Sequence, residues 1–157
     1  MNILIIFYSR TGTTKKVANL IKENLNCDIE EIFDTKNRKG FLGYIKSAID
    51  AIKKKLTTLE KTNKNPESYD LIGIGTPIWA SNISTPIRTY IVENKEKFKE
   101  VAFFCTEGGR GGEKCFEKMA KLCGKEPDAT LELNRKEIKE GIHIEKIKEY
   151  VDKIKNI

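Results

Sequence analysis

Short apolar runs alternate with amphipathic segments along the whole chain. A continuous apolar run of this kind is typical of a strand buried on both faces of a parallel sheet. The runs predict five strands, at residues 2–8, 28–33, 69–75, 100–106 and 129–133. Helical spacing of apolar residues predicts five helices, at residues 15–25, 41–56, 84–98, 114–122 and 144–154. This order predicts a single α/β domain over residues 1–157, in which a doubly wound parallel sheet lies between two helical layers.

The chain has 29 Lys and Arg against 23 Asp and Glu, which gives a net charge of +6. Most lysines alternate with glutamates, which is typical of solvated helix faces; an acidic partner is the other interpretation. A nucleic-acid site would need a concentrated basic face with stacking aromatic residues, and the sequence shows neither. No apolar run approaches the ~18 residues of a membrane helix and no signal peptide is present, so we expect a cytoplasmic protein without membrane contact.

Isolated polar residues offer little evidence for catalysis. The four cysteines lack CxxC spacing, so we expect buried, free thiols in a reducing compartment, with Cys105 inert. The only histidine, His143, is expected at the surface. Neither paired carboxylates nor a Ser-His-Asp arrangement is evident. We therefore assign no catalytic residue and no metal ligand.

The first loop, residues 9–14, lies between a buried strand and a helix. A helix N-terminus offers unpaired amides and the positive end of its dipole, which together bind phosphate. Gly12 lets an anion approach the backbone. Four hydroxyl side chains surround it, those of Ser9, Thr11, Thr13 and Thr14. The loop predicts a phosphate cradle, with a plain hydroxyl-capped turn as the alternative; the GK[ST] ending of a P-loop is missing.

Two further loops, residues 76–83 and 106–112, follow the third and fourth predicted strands. The earlier one holds Trp79, the only tryptophan, whose indole either stacks on an aromatic ligand or packs on its own protein. The later one holds four glycines, which let backbone approach a planar ligand. Ligands of such sheets bind at the carboxyl ends of the strands, so we expect the three loops to form one site.

These loops resemble those of flavodoxins and their flavodoxin-like relatives. Residues 9–14 resemble the family's FMN phosphate loop, residues 75–79 its first isoalloxazine loop and residues 105–109 its second. The resemblance covers nearly the whole chain and implies non-covalently bound FMN on a five-stranded sheet of order 2-1-3-4-5, of the short-chain type. It implies three groups of FMN-binding residues: for the phosphate, Ser9, Arg10, Thr11, Gly12, Thr13 and Thr14; for the ribityl chain and ring, Thr76, Pro77, Ile78, Trp79 and Ala80; for the far ring edge, Thr106, Glu107, Gly108 and Gly109.

Three features depart from the flavodoxin pattern. Ser81 stands where many relatives carry a glycine, which implies weaker stabilisation of the half-reduced flavin. The chain is basic although flavodoxins are usually acidic, and Arg10 and Arg110 against Glu107 predict a raised flavin potential. The amphipathic segment 41–56 is long, and we expect its apolar face to pack on the sheet rather than to cover the flavin or join two subunits.

The resemblance implies an electron carrier that docks weakly with acidic redox proteins, as a monomer or a homodimer. The alternative is a flavoenzyme that reduces quinones or other small molecules with NAD(P)H, with segment 41–56 and the glycine-rich loop supplying a substrate pocket. A phospho-receiver domain shares the strand order, but it needs clustered carboxylates at strand ends where this sequence has Tyr8-Ser9 and Gly75-Thr76.

Overall fold

The computed structural model describes residues 1–157 as a sheet between two layers of helices. Its strands are β1 (Ile3–Phe7), β2 (Asp28–Glu31), β3 (Leu71–Trp79), β4 (Asn82–Ile83), β5 (Glu100–Glu107) and β6 (Thr130–Asn134). Its α-helices are α1 (Thr13–Leu25), α2 (Gly40–Ile52), α3 (Thr85–Asn94), α4 (Gly112–Cys123), α5 (Arg135–Glu140) and α6 (His143–Lys155). None of these helices combines the length and the apolar character needed to cross a membrane.

Five parallel strands lie in the order β2-β1-β3-β5-β6, and the two-residue β4 pairs antiparallel with the end of β3. When β4 is not counted and the other five strands are renumbered along the chain, their order reads 2-1-3-4-5. The predicted fold is therefore confirmed. The register places Phe7 of β1 beside Gly75 of β3, and Pro77 of β3 beside Thr106 of β5. The loops that follow β1, β3 and β5 therefore meet at one edge of the sheet.

Alternate residues of the central strands belong to two separate cores, because strand side chains point to opposite faces in turn. Ile3 and Ile5 of β1 pack in the core that includes α1 and α6. Leu4 and Ile6 pack in the other core, which includes α3 and α4. All five residues of β1 are buried. This two-sided burial explains why the first strand is a continuous apolar run.

Two boundaries differ from the sequence-based prediction. The helix predicted over residues 41–56 ends at Ile52, and Lys54 then adopts a left-handed backbone with φ 51° that ends helical geometry. The strand predicted to end at residue 75 continues to Trp79, because Ile78 and Trp79 pair with the two residues of β4. This short hairpin extends β3 into the loop that the sequence assigns to ligand binding.

The sequence analysis does not predict α5, which begins directly after β6. The Asn134 side chain accepts a hydrogen bond from the Glu137 amide, and the Glu137 carboxylate accepts one from the Asn134 amide, both at 2.9 Å. This reciprocal capping box starts the helix. The predicted surface position of His143 is wrong, since the residue is only 6% exposed. The inserted helix and the turn at Gly141 bring the first residue of α6 into the packed interior.

The four cysteines are free thiols. Cys105, Cys115 and Cys123 are buried as expected, whereas Cys27 is partly exposed. Burial raises the pKa of Cys115 and of Cys123 to about 12, and it raises the pKa of Cys105 as well. A thiol must ionise to act as a nucleophile, so these buried cysteines are chemically inert.

The face of α2 that packs on the protein is opposite to the predicted one. Its buried positions are Gly43, Ser47, Asp50 and Ala51, whereas its apolar stripe is exposed. The expectation that segment 41–56 packs its apolar face on the sheet is therefore wrong. The physical reason is Arg38, which lies buried beneath the helix and forms an ion pair with Asp50 at 3.1 Å. This pair holds the polar face of α2 inward.

Candidate functional site

A cleft of about 170 Å³ opens at the edge of the sheet where β1, β3 and β5 end. This is the edge at which doubly wound sheets bind ligands. Its walls come from the loop after β1, the ends of β3 and β5, and residues of α1, α2 and α5. The lining residues are Arg10, Thr11, Thr13, Thr14, Tyr44, Pro77, Ile78, Trp79, Thr106, Glu107, Gly108 and Arg135.

The loop before α1 has the backbone form of an anion cradle. Gly12 occupies the N-cap position with φ 94°, so the cap residue itself has no side chain that could bind the helix amides. The Ser9 hydroxyl accepts hydrogen bonds from the amides of Gly12 at 3.0 Å and Lys15 at 3.3 Å, which shapes the turn. The amides of Thr13 and Thr14 are left free to bind an anion. A Cβ at Gly12 would meet no atom within 4 Å, so the glycine is needed for its positive φ.

Two buried hydroxyl pairs stabilise the loops around the cleft. Thr14 Oγ1 and Thr106 Oγ1 lie 2.7 Å apart and join the first loop to the third. Thr76 Oγ1 lies 2.9 Å from Ser84 Oγ and accepts the Ser84 amide at 3.1 Å. The Thr76 hydroxyl is thus engaged with the start of α3, and it stabilises the second loop from within the protein.

Trp79 lies at the cleft but is mostly packed on its own protein, which is the second of the two interpretations above. Its residue surface is 6% exposed. The Tyr8 ring meets it edge-on, with centroids 5.5 Å apart and an interplanar angle of 88°. The Arg38 guanidinium lies 5.2 Å from its centroid, a cation–π distance. Trp79 therefore offers the cleft only a small exposed surface.

Arg38 links Trp79 to α2. Its guanidinium donates to Asp34 and Asp50, and the side chains of all three residues are at most 5% exposed. A Cβ on Gly43 would lie 2.3 Å from the Arg38 carbonyl oxygen, so only glycine allows α2 to come this close. The buried cluster therefore sets the position of both Trp79 and α2.

The turn between β3 and β4 has two successive non-glycine residues in the left-handed region, Ala80 with φ 49° and Ser81 with φ 58°. Such residues cost about 1–2 kcal/mol each. The Lys118 ammonium opposes this strain by donating to the Ser81 carbonyl at 2.9 Å and to Asn82 Oδ1 at 2.7 Å. The position that departs from the flavodoxin pattern is thus a strained turn held from α4.

The charges around the cleft differ from the expected set. Arg10 lies with its guanidinium 5.4 Å from the Tyr44 ring centroid. Arg135, from α5, is the second cation at the cleft. Arg110 lines a neighbouring hollow, so of the two arginines expected to flank the flavin only Arg10 lines the cleft itself. Burial and the neighbouring carboxylate of Glu132 raise the pKa of Glu107 to about 7.

Most of the residues predicted for the site are brought together by the fold. Ten of the fifteen line the cleft, and those outside its lining are Ser9, Gly12, Thr76, Ala80 and Gly109. Sequence reasoning missed Tyr44 and Arg135. The only signal for Tyr44 was the unusual amphipathic segment that contains it, and Arg135 had none because α5 itself was not predicted.

Comparison with known proteins decides the family. A family model described as Flavodoxin matches residues 2–154. The chain belongs to the flavodoxin family. The resemblance seen in the sequence is thereby confirmed over nearly the whole chain. A search of curated proteins found no match.

Solved flavodoxin-like structures have the same fold. A flavoprotein from Lactobacillus acidophilus NCFM in complex with FMN is 26% identical, with a TM-score of 0.73 over 88% of this chain and 97% of that chain. The two-electron reduced flavodoxin of Megasphaera elsdenii is 17% identical, with a TM-score of 0.55 over 83% and 85%. The rubredoxin:oxygen oxidoreductase of Desulfovibrio gigas is 14% identical, with a TM-score of 0.56, and the match covers 99% of this chain but 36% of that chain. The last two matches show the fold alone.

Proposed function

We propose that this flavodoxin-family chain binds FMN non-covalently in the cleft and carries electrons between redox partners. The observation that carries the proposal is the cradle at Gly12, where α1 begins with positive φ and the amides of Thr13 and Thr14 are open. A terminal phosphate suits such a helix N-terminus, because amide donors and the helix dipole both favour an anion. Bound FMN supplies the redox chemistry, and the protein supplies binding and orientation.

The rest of the cleft also suits a flavin. Thr11 and Thr13 place hydroxyls beside the cradle, and the Arg10 guanidinium adds positive charge. Pro77 and Ile78 offer apolar surface for a flat ring. At Gly108 an added Cβ would meet no atom within 4 Å, so the backbone there lies open to a planar ligand. The relative from Lactobacillus acidophilus, whose structure holds FMN, supports the same ligand.

Titration with FMN and with riboflavin tests the proposal. Riboflavin lacks the phosphate and loses the charge-assisted hydrogen bonds of the cradle, each of which contributes about 1.5–3 kcal/mol. We expect riboflavin to bind at least about 100-fold more weakly than FMN, measured by calorimetry or by flavin fluorescence. Equal affinities would show that the cradle does not hold a phosphate.

A glycine variant locates the phosphate. Gly12→Val places a β-branched residue at φ 94° and disturbs the amides of the cradle. Gly124→Val is the matched control, because Gly124 also has a positive φ of 69° and free space around it, but it caps the far end of α4. We expect a similar loss of stability in both variants and a loss of FMN affinity in Gly12→Val alone. Full FMN affinity in a folded Gly12→Val protein would refute the site.

Electron carriage, as opposed to catalysis on small molecules, is tested with reduced nicotinamides. Without oxygen, a carrier keeps its flavin oxidised in NADH or NADPH alone, whereas a quinone-type reductase takes two electrons from one equivalent of NAD(P)H and its flavin bleaches. The net charge of +6 and the arginines at the cleft favour acidic redox partners. We expect faster electron exchange with an acidic [2Fe–2S] ferredoxin than with basic cytochrome c at low salt.

We place this carrier in the cytosol, where its four free thiols stay reduced.

A further inference from the structure

The exposed side of α2 is an apolar surface with no partner in the chain. Its large side chains are between 39% and 80% exposed. We call this surface the α2 patch, and it consists of Phe41, Leu42, Tyr44, Ile45, Ile49, Ile52 and Leu56. Six of the seven lie on one 13-residue helix, and Leu56 follows it closely. The patch is therefore one continuous stripe rather than scattered residues.

The patch is too large for an ordinary free surface. The exposed fractions amount to roughly 800 Å², whereas the largest apolar patch of a typical monomer is about 300–600 Å². A standard protein–protein interface takes about 800 Å² from each partner. The area thus fits one complete interface.

The fold holds this patch outward. Rotation of α2 to bury the stripe would bring Ser47 and Asp50 to the surface and would break the ion pair of Asp50 with Arg38. It would also separate Gly43 from the Arg38 carbonyl that it touches. The apolar face is exposed because a buried polar cluster fastens the other face.

We propose that the α2 patch is the contact surface between two copies of this chain, each resting its α2 on that of the other. The large apolar area of the patch, rather than its charge, favours a second copy over an acidic protein or an anionic membrane, because lysines along one edge supply only a small part of the contact. The only acid of α2, Asp50, is buried. Exposed Lys39, Lys46 and Lys53 recur every seven residues and therefore form one row along an edge of the stripe. An apolar centre with charge confined to the rim is the composition of a permanent homodimer interface.

The second copy also borders the functional cleft. Tyr44 belongs to the α2 patch and lines the cleft, and the Arg10 guanidinium packs over its ring. A copy resting on the patch closes the cleft on its Tyr44 side. This effect on the cleft rests on the proposed FMN site, whereas the pairing of the two copies does not.

Sedimentation equilibrium of the purified protein, with and without added FMN, tests the pairing. We expect a mass of two chains, twice 17.9 kDa. Leu42→Ser with Ile49→Ser should halve that mass at the same concentration. The matched control is Ile142→Ser with Ile144→Ser, which removes two side chains that are 46% and 56% exposed outside the patch, and it should remain a dimer.

Salt separates the second copy from other occupants. The lysine rows of two copies repel, so raising NaCl from about 0.02 to 0.5 M should leave the dimer intact or tighten it. Binding of an acidic ferredoxin, or of phosphatidylglycerol vesicles, through the patch would weaken over the same range. A single-chain mass at about 100 μM, equal masses for patch and control variants, or salt-sensitive vesicle or ferredoxin binding by a monomer would each overturn the proposal.

FMN release reports on the cleft. The monomeric double variant should release FMN about tenfold faster than the wild type, because one side of its cleft is open. Unchanged release from a monomeric variant would refute the closure of the cleft while leaving the dimer in place. Failure of the dimeric wild type to bind FMN would instead refute the proposed function.

Discussion

The α1 side and the α2 side of the cleft are built in opposite ways. Both helices have 13 residues and an apolar stripe. Helix α1 buries its stripe, with Val17, Ala18 and Ile21 all inaccessible to solvent. Helix α2 buries polar and small residues and leaves its apolar residues in water. The same periodicity thus has two different outcomes: the apolar stripe of α1 is buried in the core, and that of α2 is exposed.

The difference comes from what lies beneath each helix. Under α1 lie apolar side chains of β1, which an apolar stripe covers. Under α2 lies Arg38 with its two carboxylates, and a buried charge requires polar partners on whatever covers it. A single arginine between β2 and α2 therefore decides which way α2 faces. The comparison teaches that periodicity predicts a stripe, whereas buried charges choose its direction.

Removal of Arg38 should have the largest effect on this arrangement. Arg38→Met leaves Asp34 buried without a cation and Asp50 with only the Lys55 ammonium at 3.6 Å, and breaking a buried pair in this way costs about 3–5 kcal/mol. We expect that loss in urea unfolding. Since Arg38 packs over the only tryptophan, we also expect a shift in the native Trp79 fluorescence.

The control for Arg38 is a surface ion pair. Lys15→Met removes the 2.7 Å pair with Glu31, in which the lysine side chain is 53% exposed, and it should cost less than about 1 kcal/mol. If Arg38→Met were no more destabilising than Lys15→Met, the buried cluster would not be what orients α2.

Matched truncations in the apolar stripes of α1 and α2 should also differ in their loss of stability, by a smaller amount than the two ion-pair variants do. Ile21→Ala removes a side chain with no exposed surface from α1 and should destabilise by about 3 kcal/mol through lost burial and a cavity. Ile49→Ala removes a side chain that is 43% exposed from α2 and should cost less than about 1 kcal/mol. The unfolding is measured at low protein concentration, so that dimerisation through α2 does not contribute to the measured stability. Equal losses would mean that the patch is buried within the single chain.

Much of the fold and of the cleft was predictable, for reasons visible in particular residues. The buried strands are continuous apolar runs, and loops after parallel strands must meet at one edge, which placed Thr11, Trp79 and Gly108 together. The direction of α2 was not predictable because it depends on Arg38 meeting Asp50, residues 12 positions apart whose contact exists only in the folded chain. Arg135 was missed for a similar reason, since α5 is defined by a local capping box on a short polar segment.

The α1 and α2 sides of the cleft also differ in whether their buried carboxyl groups have a partner. The carboxylates under α2 have Arg38, whereas Glu107, at the end of β5 beside α1, has one buried carboxylate oxygen without a partner. Burial raises the pKa of Glu107 to about 7, Glu132 and Glu137 push it the same way, and Lys146 opposes them. At the cleft the chain therefore carries a carboxyl that holds its proton near neutral pH.

This raised pKa sets a pH dependence of stability. The folded protein holds the Glu107 proton more tightly than the unfolded chain does, so stability falls as pH rises from about 4.5 through about 7 and stays reduced above that. Glu107→Gln removes this loss, and we expect it to be more stable than the wild type by about 1 kcal/mol at pH 8, since solvent screens the partly exposed carboxyl. At pH 4 the two proteins should be nearly equal. Glu117→Gln, at an exposed position of α4, should show no such divergence. A constant difference between wild type and Glu107→Gln from pH 4 to 8 would mean that folding leaves the pKa of Glu107 at its ordinary value, with its burial compensated by a partner.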